Sequence, residues 1–252
     1  MNSPVFFIFL IVILFFAGAG LYRWFLLRRK IAHIVNTPTS QIRQLLDGRF
    51  KRETMIEVKG TLTIDEPLIA PYTKRECVFF HSQEIDKIER IEYRRTSKGS
   101  RKTRTIVYNT TSERKSYQEF YIEDFTGRIK VCPASFEIEG KKVLDREVPR
   151  QGASSGFWGT LFKPCGDKII ADITRESILP LHQKAYIIGH YYIGNDGPYI
   201  GGCPDKAKTS LISVQSEEEI LKQLRLKSYL YFLGFLLLAS GAGFLIINMF
   251  NL

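Results

Sequence analysis

Cysteine and histidine are scarce in this sequence, four of each, and neither falls into a spacing that metal or disulfide chemistry would require. Cys77, Cys132, Cys165 and Cys203 form no Cys-x-x-Cys pair, and His33, His81, His182 and His190 stand apart. Neither a zinc site nor a disulfide framework is therefore expected, and the cysteines read as thiols packed as small hydrophobes. Charge is missing altogether from two stretches, since no Asp, Glu, Lys or Arg precedes Arg23 or follows Lys227. No phosphate-binding glycine loop, internal repeat or low-complexity linker is found, and no cofactor is expected.

The two uncharged stretches are long. Val5 to Tyr22 is about 18 residues, roughly 27 Å as a helix, and Tyr229 to Met249 is longer still, so each can cross a bilayer. The "AGAG" at Ala17 to Gly20 could suit a signal peptidase, but no base precedes the run, and it reads as a retained span. Small residues in the spans, Ala17, Gly18, Ala19 and Gly20 in one and Ala239, Gly241 and Gly243 in the other, are the candidates for close helix packing. Arg23, Arg28, Arg29 and Lys30 follow the first span, and Lys222, Arg225 and Lys227 precede the second. Basic inner flanks with no base on either outer tail predict an integral membrane protein whose central domain is cytoplasmic and whose termini lie outside. The predicted units are 1–30, a transmembrane helix with its flank, 31–222, a β-rich domain, and 223–252, the second flank and helix. The whole excess of positive charge, +10, belongs to the segment between the spans.

Within that segment "NTPTSQIRQLLDGRF" predicts a short amphipathic helix, with Thr37 or Thr39 as cap and Asp47-Gly48 as its end. Strand signals follow in "MIEVKGTLTI", "ECVFFHSQEI", "IERIEYRR", "RTIVYNTTSER" and "SYQEFYIEDFTGRIKVCP", the last turning at Asp124 to Gly127. "AYIIGHYYIGNDGPYIG" reads as a hairpin turning at Asn195-Asp196-Gly197. Ser216, with Glu219 three residues on, forms a capping box that leads a helix into the second span. The predicted fold is mainly β, a small antiparallel barrel or sandwich with short helices, flanked by two transmembrane α-helices.

The order of "NTPTSQIRQLLDG", "VKGTLTIDEPLIAPYTKRECVFF", "FYIEDFTGRIKVCP", "AYIIGHY" and "LISVQSEEEI" ahead of a span resembles the GIDE, or beside-a-membrane, domain. That domain occurs in the MULAN/MAPL type of RING ubiquitin ligase and in prokaryotic proteins, and the latter are the nearer pattern. The matching positions, Gly60, Pro67, Leu68, Pro71, Cys77, Asp124, Gly127, Pro133 and Gly189, have reasons in turn and strand geometry and read as fold determinants. In the ligases a RING follows the second span, whereas here only Asn248 to Leu252 remain. The expectation is that RING activity, where needed, comes from a separate chain. The mitochondrial members place the domain in the intermembrane space, opposite to what these flanks predict.

Two segments stand out as candidate sites. "RRTSKGSRKTR" carries Arg94, Arg95, Lys98, Arg101, Lys102 and Arg104 without an acid, between two strands, and is the candidate contact for anionic lipid headgroups. Nucleic acid suits it less, because no aromatics interleave with the bases. "GASSGFWGTLFKPCG" carries Phe157, Trp158, Leu161 and Phe162 as a candidate membrane-interface loop. Catalytic candidates are poor: Glu123 and Asp124 are adjacent on a strand and point apart, and His81 reads as structural. The expected role is a non-catalytic scaffold or recognition module at the bilayer surface, partnered by lipid and other membrane proteins. The alternative is a ligase-related protein or accessory subunit.

Overall fold

The computed structural model describes residues 4–96, 99–150, 167–203 and 210–250. Its two long helices are α1 (Pro4–Asn36) and α3 (Glu217–Phe250). Both are long and apolar enough to cross a membrane, and only 6% of each apolar window is buried. A core helix of a soluble domain would be covered on most sides. The capping box forms at the start of α3: the Ser216 amide donates to Glu219 Oε2 at 3.1 Å, and the Glu219 amide donates to Ser216 Oγ at 3.2 Å.

Covered or partly covered positions of α1 include Leu10, Ile13, Ala17, Gly20, Trp24, Leu27, Ile31 and Ile34, and those of α3 include Leu221, Leu224, Ser228, Phe235, Leu238, Ala242 and Leu245. Alternating steps of three and four are the seam of a left-handed helix pair. The pairing is antiparallel, with Gly20 facing Tyr231 and Phe235 and the Trp24 ring 5.3 Å from Phe232. Each helix continues past its apolar run to the domain, where Ile31, Ile34, Ile220, Leu221 and Leu224 pack with Tyr186, Ile188 and Leu211.

Between the helices lie a short helix, α2 (Ile42–Leu46), and twelve strands among the described residues: β1 (Met55–Thr63), β2 (Leu68–Ile69), β3 (Glu76–Thr96), β4 (Gly99–Lys115), β5 (Phe120–Asp124), β6 (Gly127–Cys132), β7 (Glu137–Glu139), β8 (Lys141–Pro149), β9 (Asp167–Pro180), β10 (Lys184–Gly194), β11 (Gly197–Gly201) and β12 (Leu211–Ser213). The order β1-β5-β6-β11-β10, with β10 pairing back to β1, closes a barrel, and β12 and β7 extend it. The remaining strands make a half-barrel, β2-β3-β9-β8, with β4 on β3. The fold is thus mainly β with two apolar helices, as the sequence predicts. It is not purely antiparallel, because β11 runs parallel to β6 and β12 parallel to β7.

Alternation explains the barrel. Ile56, Val58 and Leu62 of β1 point into the core with Ile122, Ile129, Val131, Ile187, Tyr191 and Ile200. β10 is buried on both faces, Ile187 and Tyr191 facing the barrel and Tyr186 and Ile188 facing the helix pair. Helix α2 lays Ile42 and Leu45 on the barrel core; burying two such side chains contributes roughly 3–6 kcal/mol before entropy costs. Gly60 is required by space, since a Cβ there would lie 2.4 Å from the Glu123 carbonyl oxygen. At Gly127 the constraint is likewise the approach of α2, whose Leu46 would meet a Cβ at 3.2 Å. "ECVFFHSQEI" and "IERIEYRR" are one strand of 21 residues rather than two.

Candidate functional site

The β1 alternation that sends Ile56 and Val58 inward aims Glu57 at the helix pair. Glu57 is 1% exposed, yet it accepts hydrogen bonds from Thr39 Oγ1 at 2.6 Å and from the Tyr186 hydroxyl at 3.0 Å. Lys59 Nζ lies 3.2 Å from Glu57 Oε1 and 2.8 Å from Glu217 Oε2, and so ties the buried carboxylate to the first residue of α3. Thr39 belongs to the segment leaving α1, and its backbone bridges Glu57 directly. One buried acid therefore fastens both long helices to the barrel. Burial alone would lower the Lys59 ammonium, but Glu217 and Glu57 hold it above its ordinary value. Burial and the Glu57 charge push the Tyr186 phenol far above its ordinary range, so it stays a donor.

Beside this joint runs a groove of about 1010 Å³, lined by Lys59, Gly60, Thr61, Glu123, Phe125, His182, Lys184 and Glu217 to Glu219. Phe125, at the β5–β6 turn, is 88% exposed at its rim. Its neighbour Asp124 is structural. Asp124 Oδ1 accepts from the Thr126 and Gly127 amides at 2.6 and 3.1 Å, while Oδ2 accepts from the Ile42 amide at 3.0 Å. The Arg43 amide donates to Thr126 Oγ1 at 3.0 Å. The predicted caps of α2 are thus replaced. Gln41 occupies the cap position without a side-chain bond, Thr37 donates to the His33 carbonyl, and Thr39 is committed to Glu57. Burial raises the Asp124 carboxyl, and the hydrogen bonds from Ile42, Thr126 and Gly127 more than reverse that, leaving it below its ordinary value.

Other titratable groups are similarly occupied. Glu176, 1% exposed, accepts from the Tyr72 and Thr73 amides and from Thr73 and Ser82 hydroxyls. His81 Nε2 meets Glu113 Oε1 at 2.7 Å. Burial, reinforced by the Glu119 carboxylate that accepts from its thiol at 3.1 Å, pushes Cys132 up to about 12. Burial pushes Cys77 up to about 11. Such thiols are poor nucleophiles at neutral pH. Among the described residues no group of three or more His, Cys, Asp or Glu could hold a metal.

The basic segment is the far end of the β3–β4 hairpin. The β3–β9 ladder ends at Arg90↔Asp167, whereas β3 and β4 stay paired through Arg94↔Arg101 and Thr96↔Gly99, with Ile91 opposite Arg104. Lys98 lies outside the described residues, as do Phe157, Trp158, Leu161 and Phe162. Of the small residues in the spans, Ala17 and Gly20 face the other helix, Gly18 and Ala19 are exposed, and Ala239, Gly241 and Gly243 are partly covered. Ala242, 3% exposed, is the small residue of α3 most deeply set in the seam, and sequence reasoning missed it. It also missed Glu57 and Tyr186, because nothing local in "MIEVKG" says that a helix pair will cover the polar side of the strand.

The family model that matches this chain is that of GIDE, described as an E3 ubiquitin ligase, over residues 88–247. No curated protein and no solved structure matches. The matched segment runs from within β3 to within α3, well over half of the chain, and takes in β4, β8, β9 and the distal part of β3 from the half-barrel, most of the barrel and the second apolar helix. With its β domain framed by two helices long enough to cross a membrane, the chain belongs to the GIDE family of E3-ubiquitin-ligase-related proteins.

Proposed function

We propose that this protein is a membrane-anchored recognition module, a scaffold rather than a catalyst, that works at the bilayer surface with its domain in the cytoplasm. The observation that carries this reading is the β3–β4 ribbon, which runs about 20 Å beyond the end of the β9 ladder. It bears Arg94, Arg95, Arg101, Lys102 and Arg104, and the sequence between its two strands adds Lys98. Each basic residue near an anionic surface contributes about 1 kcal/mol, and tethering through two helices keeps the local lipid concentration high. Phe157, Trp158, Leu161 and Phe162 form a second proposed contact, in the membrane interface.

The full chain in sealed vesicles tests the ribbon. Trypsin added on the domain side should cut between Arg94 and Arg104 more slowly in anionic than in neutral vesicles, and added salt should erase the difference. Equal cutting in the two lipids would refute the lipid contact. The family description favours a second reading, an accessory subunit of a ligase assembly. Purification from native membranes separates the two: a stoichiometric ubiquitin-transferring partner supports the accessory role, and recovery with lipid or structural membrane proteins alone supports the scaffold.

A further inference from the structure

The seam between α1 and α3 opens on one side into a groove of about 800 Å³, away from the barrel groove and the β3–β4 ribbon. Its floor is aromatic: Trp24 and Phe232 are in ring contact, and Tyr229 lies beside them. Above the floor stand Arg28 and Arg225, one from each helix, and buried Ser228 leaves room between them. The Arg28 guanidinium is 5.8 Å from the centre of the Trp24 ring, which holds it over the groove. Arg225 makes no hydrogen bond or ion pair with a described residue, and no acid lines the groove.

Depth gives this arrangement a meaning. The apolar run of α1 ends at Tyr22 and that of α3 begins at Tyr229. Arg28 and Arg225 therefore stand about 6–9 Å outside the hydrocarbon edge, and Trp24 and Phe232 lie close to it. Two guanidiniums at headgroup level above an aromatic floor match an amphiphile with an anion at one end and hydrocarbon at the other. We infer that this groove binds the phosphate headgroup of an anionic membrane lipid, its acyl chains descending along Trp24 and Phe232. The inference rests on the helices crossing a membrane and is independent of the lipid contact proposed for the ribbon.

The sequence contains two tryptophans, so Trp158→Phe leaves Trp24 as the sole tryptophan of the full chain, excited selectively over tyrosine at the red edge of its absorption. In vesicles of phosphatidylcholine with a minor fraction of phosphatidylglycerol, bromine is placed on the chains of one lipid or the other. Brominated phosphatidylglycerol should quench Trp24 with about thirtyfold preference over brominated phosphatidylcholine at equal fraction, the scale expected of two basic side chains. Arg28→Gln with Arg225→Gln should bring the preference to unity. Arg225→Gln alone, away from the reporter ring, should reduce it, and Arg28→Lys with Arg225→Lys should retain most of it. Neutralising the ribbon should leave it intact, and soluble glycerophosphate should not compete. Equal quenching by the two lipids, or a preference surviving the double Gln variant, overturns the proposal. Loss of the preference to glycerophosphate would reassign the groove to free phosphate. No quenching by either lipid would place Trp24 outside the bilayer and refute the membrane-crossing premise itself.

Discussion

At the scale of single residues, the structure uses its buried and half-buried acids as fasteners. Asp124 is the plainest case, because one carboxylate closes its own turn and caps a helix from another part of the chain. Its folded value lies below the ordinary one, so its contribution is fully present above the unfolded carboxylate range and is lost as pH falls through the folded value. Asp124→Asn keeps one acceptor oxygen and loses the charge. It should cost about 1–3 kcal/mol near neutral pH and flatten the acid limb of the stability profile, read by denaturant melts across pH. An unchanged acid limb would show that Asp124 does not carry it. The turn from Asp124 to Gly127 was legible in the sequence, since Asp and Gly at those positions favour it. The cap was not, because its donor lies more than eighty residues away and no local pattern joins the two. Glu57 failed to appear for a related reason: alternation correctly turns it away from the barrel, and only the assembled helices decide that the other side is dry.

Among the elements, the helix pair is the least readable. Its apolar runs are hydrophobic on every side, so periodicity cannot tell seam from lipid face, and Ala17 to Gly20 look equivalent until the partner is in place. The seam then sorts them by three-and-four spacing. Ala242 is buried against the opposite helix, while a Cβ at Gly243 would meet nothing within 4 Å. Ala242→Leu should therefore overfill the seam and cost about 1–3 kcal/mol, whereas Gly243→Leu should change stability little. Thermal melts in detergent, with cysteine crosslinking between α1 and α3, give the comparison; the reverse order would displace the seam. The strands were more legible, because β-branched and aromatic alternation marks β1, β5, β6 and β10. The great length of β3 was hidden by its charged distal half, which pairs with β4 well beyond the shelter of β9.

For the molecule as a whole, the placement of the bases makes a prediction of sidedness that can be tested. With Arg23 to Lys30 and Lys222 to Lys227 on the inner flanks, a protease added outside intact cells or spheroplasts should leave the segment from Ile31 to Ser228 uncut. Cleavage within it while the membrane stays sealed would put the domain on the other side. The helix pair, continuing unbroken from its apolar runs to the Glu57 joint, has a consequence for reach. From Ser228 to Glu217 is about 18 Å of helix, so with the apolar runs in a membrane the Glu57 joint stands about that far beyond the hydrocarbon edge, as a lamp on a post. The height is counted in helical turns and turns with the seam. Adding one heptad to both helices would raise the domain by about 10 Å with its facing nearly kept, while adding two residues would swing it by roughly half a revolution. Evolution can thus tune what this protein touches by changing stem length alone, with every residue of the barrel left as it is.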